Sequence, residues 1–278
     1  MPRLFATLLC TLLLSSGCTS PPPPEQRSQL ATQLAQSRDW QNLQLHAGIF
    51  DLQSYAAKAQ PAASDELTIY LEGDGLAWLS SRQPSADPTP LNPLALRLAL
   101  AQPSGPVAYL GRPCQYLGAE RPPCNRRYWT GARFAEEIVD SLDSAADQLK
   151  ARAGARSLVL VGYSGGGALA LLLAARRDDV RRVVTVAGNL DHAAWTQYHR
   201  VSPLSDSLNP ADLRTRLGSV EQLHLLGGQD RVIPPVLVEA FVAGYPPGHR
   251  AKVRVVPEYD HNCCWAEQWP QLWQMKTD

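Results

Sequence analysis

The 278-residue sequence carries no surplus of charge, no apolar run long enough to cross a bilayer, and no metal-binding spacing of cysteine and histidine. Lys plus Arg and Asp plus Glu each number 26, which leaves a formal net charge of zero. There is no basic run and no basic-aromatic stripe, so nucleic acid is not an expected partner. Residues 4–14 form an apolar run well short of the ~20 residues a spanning helix needs. Neither C-x₂₋₄-C nor H-x₃₋₅-H occurs, so no zinc site is expected, and nothing calls for another metal or a cofactor. Internal repeats are absent. A Gly-rich stretch does occur at 162–167, but no lysine follows at phosphate-loop spacing, which removes a nucleotide cradle from consideration.

What that Gly-rich stretch does contain is Gly162-Tyr163-Ser164-Gly165-Gly166, set between two contrasting segments. Residues 157–161 are short, β-branched and continuously apolar, as in a strand buried on both faces. Residues 167–175 are rich in Ala and Leu and read as helix, closed by Arg176 and Arg177, cations suited to a helix C-terminus. A serine at so sharp a strand-to-helix corner is held in a strained backbone with its hydroxyl outward. The amides that open the helix face the same point.

The remaining pattern alternates strands and helices. Strands are expected at 67–72, 107–110, 182–187, 222–226 and 252–256, with an antiparallel pair within 43–55. Helices are expected at 92–102, 133–150, 235–243 and 265–275; in the second, Phe134, Ile138, Leu142, Ala145 and Leu149 share one face. This order predicts an α/β domain over 41–278, with a mostly parallel sheet covered on both sides. Ligands of such sheets bind beyond the carboxyl ends of the strands.

A serine needs a base, and the base needs an orienting group. Of the six histidines, His224 lies within a strand, His46 beside the early strands, and His249 at the wrong end of the sheet. His261, shortly after the last strand, stands at the right end and is the candidate base. Asp230, in Gly-Gly-Gln-Asp-Arg-Val-Ile-Pro directly after a strand, is favoured as the acid over Asp191; Asp260 is too close along the chain.

With Ser164, Asp230 and His261 in that order, and G-x-S-x-G between strand and helix, the chain resembles the α/β-hydrolase family over residues 43–275. The resemblance implies an α/β-hydrolase fold. It also implies a serine hydrolase acting on a small-molecule or lipid-like acyl substrate, a carboxylic ester by default; thioester, amide and acyl transfer stay open, as does a non-catalytic binding protein. Gly165 N–H would be one oxyanion donor and the Asp74 and Gly75 amides would supply the other. Where many members carry His-Gly-x-Gly, this chain has Glu72-Gly73-Asp74-Gly75. Acidic side chains there oppose a developing negative charge, so they either point away or bind something cationic on the substrate. The segment 189–214 falls where the family commonly inserts a lid; an ordinary helical connection fits as well.

The N-terminus reads as a secretory signal over residues 1–17, followed by small residues and Cys18 in a pattern that resembles a bacterial lipoprotein site. Cys18 would be lipidated, and residues 18–40, with Pro21 to Pro24, would form a stiff tether holding the body off a membrane. Thr19 rather than Asp after Cys18 resembles outer-membrane sorting. Export implies disulfides among Cys114, Cys124, Cys263 and Cys264, with Cys114–Cys124 preferred of three possible pairings. Cys263 and Cys264 would otherwise bridge the His261 loop to Cys114 or Cys124, or stay as thiols.

Overall fold

The computed structural model describes residues 20–58 and 65–275; the expected signal and Cys18 lie outside the described residues. In chain order the elements are α1 (Pro24–Gln36), β1 (Trp40–Ala47), β2 (Phe50–Ala57), β3 (Glu66–Leu71), β4 (Trp78–Ser80), β5 (Gln83–Pro84), α2 (Leu94–Ala101) and β6 (Val107–Leu110). Then come α3 (Glu136–Ala153), β7 (Ser157–Tyr163), α4 (Gly165–Ala174), β8 (Val180–Val186), α5 (His192–His199), α6 (Arg214–Leu217), β9 (Glu221–Gly227), α7 (Pro235–Ala243), β10 (Ala251–Val256) and α8 (Trp269–Trp273).

Eight strands form one sheet in the order β1-β2-β6-β3-β7-β8-β9-β10. β1 and β2 are antiparallel, β2 is antiparallel to β6, and every pair from β6 to β10 is parallel. The central strand β7 shows why its sequence has no polar alternation. Leu158 and Leu160 enter the core beneath α3, α4 and α7, whereas Val159, Val161 and Tyr163 enter the core beneath α1, α2 and α8. A parallel strand covered on both faces must be apolar throughout. All ten residues of α4 are buried, and each of its leucines contributes about 1.5–3 kcal/mol in burial.

Three expectations change. The proline-rich segment does not run on as a stalk: α1 lies on the body, with Ala31 and Ala35 fully buried and Arg27 bonded to Thr89 O. The last helix is short, because Pro270 tolerates only its first turn, so Trp265 packs from a loop instead. Arg176 and Arg177 lie past the end of α4 and pair with acids of α3, Glu136 and Asp140 for the first and Asp143 and Asp147 for the second. No described helix is long and apolar enough to cross a membrane.

Candidate active site

The corner between β7 and α4 is built from its glycines. A Cβ at Gly162 would overlap Gly166 O, and one at Gly166 would overlap Leu71 O of the neighbouring strand. With that space left open, the chain reverses at Ser164, whose φ is +51° and ψ −121°, a strained conformation for a residue with a side chain. Its N–H bonds Val186 O at 3.0 Å and its carbonyl accepts from Gly167 and Asn189, so β8 and α4 fix it from both sides.

Two loops at the same edge of the sheet complete the group. His261 Nε2 lies 3.1 Å from Ser164 Oγ, and His261 Nδ1 lies 2.8 Å from Asp230 Oδ2. With the carboxylate facing Nδ1, the proton belongs there, and Nε2 is left to accept from the serine hydroxyl. The other oxygen of Asp230 accepts the Val232 and Ile233 N–H groups at 2.7 and 2.8 Å, which immobilises a fully buried side chain. The diglycine before it has a steric reason: a Cβ at Gly227 would overlap Tyr259 O, so the acid loop lies directly on the loop that carries His261. Gln229 N–H donates to that same carbonyl at 2.9 Å.

The rival residues are engaged elsewhere. Asp191 caps α5, accepting from Ala193 and Ala194 N–H at 3.1 Å, and faces Arg214. Asp260 accepts from the Asn262 and Cys263 amides, which hold its carboxyl below the usual range. His224 bonds Thr185 at 2.9 Å, and burial pushes its imidazole down to about 3, which leaves it neutral. His46 pairs with Asp51 at the surface, and the backbone N–H of Ala251 donates to His249.

The Glu72–Gly75 turn reaches the same cleft and explains its acids. Glu72 turns inward and accepts from Gly73 N–H at 2.9 Å and Tyr109 OH at 3.1 Å; burial pushes its carboxyl up to about 7 despite those bonds. Asp74 is paired with Arg112 and Arg133, not with anything left to the substrate. Burial pushes its carboxyl up, but the two guanidiniums outweigh that and hold it below the ordinary range. Two cations against one anion leave this group net positive beside Gly165, where an added Cβ would overlap the Asp74 carboxylate. Sequence spacing gave no means of pairing Asp74 with Arg112 and Arg133. Asp74, Gly75, Arg133, Ser164 and His261 all line one cleft of about 410 Å³. Through Trp78, Arg133 and Trp195 this cleft adjoins an apolar cavity of about 470 Å³ that ends on Val201, Pro203 and Leu204. A wider hollow of about 880 Å³, lined by Glu66, Arg182 and Trp273, lies at the other end of the strands and holds none of these groups.

Glu72 makes stability depend on pH. Its folded value near 7 lies above the 4.5 of an ordinary Glu, so the unfolded chain loses this proton first. Stability therefore falls as pH rises from 4.5 to 7, by roughly 3 kcal/mol in all. Glu72→Gln is expected to flatten this slope in denaturant titrations at pH 5 and pH 8; an unchanged slope would assign the titration to another group.

Tyr163 was visible in the motif without a role. Its hydroxyl donates to Asn262 Oδ1 at 3.1 Å and approaches His261 O at 3.3 Å, so β7 holds the histidine loop as well as the serine. The 189–214 segment contains α5, whose Trp195 and His199 both donate to Val232 O at 2.8 Å. The cysteines pair as Cys114–Cys124, with Cα atoms 5.6 Å apart, and Cys263–Cys264. The alternative of a bridge between the two loops is corrected. The two cysteines of each loop are paired with one another, so none is left to join the loops.

Comparison with known proteins agrees with this architecture. Residues 115–207 match a family model described as alpha/beta hydrolase fold. No curated protein sequence matches the chain. Among solved structures, an alpha-beta serine hydrolase homologue from Coxiella burnetii is 14% identical with a TM-score of 0.56, covering 84% of this chain and 93% of its own. The esterase Pf2001 of Pyrococcus furiosus is 10% identical, with a TM-score of 0.58 and coverages of 86% and 88%. Est1E from Butyrivibrio proteoclasticus is 13% identical, with a TM-score of 0.58 and coverages of 83% and 95%. The chain has the α/β-hydrolase fold.

Proposed function

We propose that this protein is an exported, lipid-anchored serine hydrolase that cleaves a carboxylic ester through an acyl-enzyme. The observation that carries the reading is the unbroken chain from Ser164 Oγ to His261 Nε2 and from His261 Nδ1 to Asp230, centred on a strained serine. The esterases among the structural neighbours support the choice of ester. The apolar cavity lined by Trp78, Trp195 and Leu204 supports an acyl or alcohol group of lipid-like character. Export and anchoring rest on the sequence of residues 1–18 and on the expected use of disulfides.

In this reading Ser164 Oγ bonds to the acyl carbon while its proton passes to His261 Nε2. The carbonyl oxygen gathers negative charge, facing Gly165 N–H at the unpaired start of α4 and the amides of Asp74 and Gly75. The net positive charge of the Arg112–Asp74–Arg133 group favours that charge. As the tetrahedral adduct collapses, the C–O bond to the alcohol breaks and the leaving oxygen takes the proton from Nε2. Water then gives its proton to Nε2 and attacks the acyl-enzyme, releasing the carboxylic acid and restoring Ser164.

The direct test is labelling with a fluorophosphonate probe, beside a panel of esters graded by chain length. The wild-type chain is expected to be labelled at Ser164 and to turn over at least one ester. An unlabelled, inactive protein with an intact fold would make it a binding protein. Tyr163→Phe is expected to lower kcat about 3- to 10-fold, the worth of one hydrogen bond, with KM nearly unchanged. An equal change in KM alone would place Tyr163 in substrate binding instead of in positioning His261.

A further inference from the structure

Six of the nine large apolar side chains exposed among the described residues lie on segments that line this cleft or its adjoining cavity: Trp78, Leu79, Leu91, Tyr198, Val201 and Val232. They come from four separate segments. Trp78, Leu91 and Val232 line the cleft itself, and Val201 lines the adjoining cavity. Tyr198 joins them through His199, whose ring contacts both Tyr198 and Trp195 at 5.1 Å. Convergence of unrelated segments on one exposed apolar rim marks an interaction surface.

Three exposed arginines sit among these residues in the chain: Arg82 at the β4–β5 turn, Arg200 between Tyr198 and Val201, and Arg231 beside Val232. No ion pair among the described residues engages them. The acids nearest to them in sequence are committed, Asp87 to Arg27 at 3.5 Å, Asp206 to Arg127 at 3.9 Å and Asp230 to His261 at 2.8 Å. The rim is therefore apolar with a basic fringe.

The start of α1 lies on this same side. β1 runs parallel to β6, because each is antiparallel to β2, and α1 enters β1 at the amino end of the strands. The helix must then begin at the carboxyl end. Its first turn confirms this: Ser28 donates to Tyr116 O just past β6, and Arg27 bonds the 87–89 segment that leads to Leu91. Five residues separate Cys18 from Pro24, a reach of at most about 22 Å.

We infer that the apolar, basic-fringed rim docks on an anionic lipid bilayer and that the cleft takes its ester directly from that surface. The inference deepens the proposed hydrolase reading and rests on lipidation of Cys18 for its tether. An anchor on the carboxyl-end side holds the mouth toward the bilayer and keeps the rim at high effective concentration against it. The exposed aromatic and aliphatic groups enter the interfacial region, and the arginines meet headgroup phosphates.

The test reconstitutes the full lipidated chain in vesicles of phosphatidylglycerol and phosphatidylethanolamine. A bimane probe on Leu79→Cys is expected to be quenched by a spin label carried in the lipid, whereas a probe on Ser104→Cys, at the amino end of the sheet, is not. Replacing phosphatidylglycerol by phosphatidylcholine should weaken the quenching. Leu79→Glu combined with Tyr198→Glu, neither of which lines the cleft, is expected to lower turnover of a bilayer-borne ester about ten-fold, the effect of about 1.4 kcal/mol. Turnover of a short water-soluble ester should stay within about two-fold on the same scale. Equal quenching at positions 79 and 104, or equal losses on both substrates, would overturn the docking surface. Failure of fluorophosphonate to label the wild-type chain would instead remove the hydrolase reading, while the quenching experiment still reports on docking.

Discussion

Replacing Ser164 with alanine is expected to reduce ester turnover by about 10⁴–10⁶-fold, with the fold unchanged. The size follows from what the hydroxyl alone supplies. No other nucleophile shares its place: Tyr163 is committed to the histidine loop, and all four described cysteines are in disulfides. Only the amides of the oxyanion site and the binding cleft would remain, and these support a small residual rate. Stability should barely change. The strain at φ +51° belongs to the corner, not to the hydroxyl, and Ala adopts it no less readily than Ser. The single bond lost, to His261, sits in an open cleft where water replaces it. The check is kcat/KM together with the denaturation midpoint. Retained turnover in a folded variant would move the nucleophile away from residue 164.

The serine corner was legible because its chemistry is local. Strand, glycines, serine and helix are contiguous, and each reports its conformation through residue type. Contiguous apolar elements were legible for the same reason: the strand β6 and the helix α7 begin and end where the apolar pattern does. What escaped was whatever depends on residues distant in sequence. Arg27 looked like part of a solvated stalk, yet its partners are main-chain carbonyls 60 and 62 residues on. Polar composition alone cannot reveal such a docking. The Asp74 carboxylate looked hostile to an oxyanion because its two guanidiniums lie 38 and 59 residues away, and no local pattern ties them to it. The β4–β5 hairpin escaped because strands of three and two residues are too short to show alternation.

The second large effect separates two aspartates that the sequence left in competition. Asp230→Asn is expected to lower kcat about 10⁴-fold, whereas Asp191→Asn should leave it within a few-fold. Asparagine at 230 keeps one carbonyl oxygen, and the Val232 and Ile233 amides already claim an acceptor at that end. The amide NH₂ is then turned toward His261 Nδ1, where Asp230 Oδ2 now accepts. A donor facing Nδ1 forces the imidazole proton onto Nε2, the atom that must take the proton from Ser164 Oγ. The base is thus blocked by its tautomer, not displaced, and KM should change little. At 191 the same substitution keeps an acceptor for the Ala193 and Ala194 N–H groups, since Asn caps helices about as well as Asp. It loses only a partly exposed pairing with Arg214 at 3.4 Å. Parallel kcat and KM measurements on the two variants decide the matter. A larger loss at 191 would transfer the orienting carboxylate to the end of β8 and would require His261 to turn away from the position it holds.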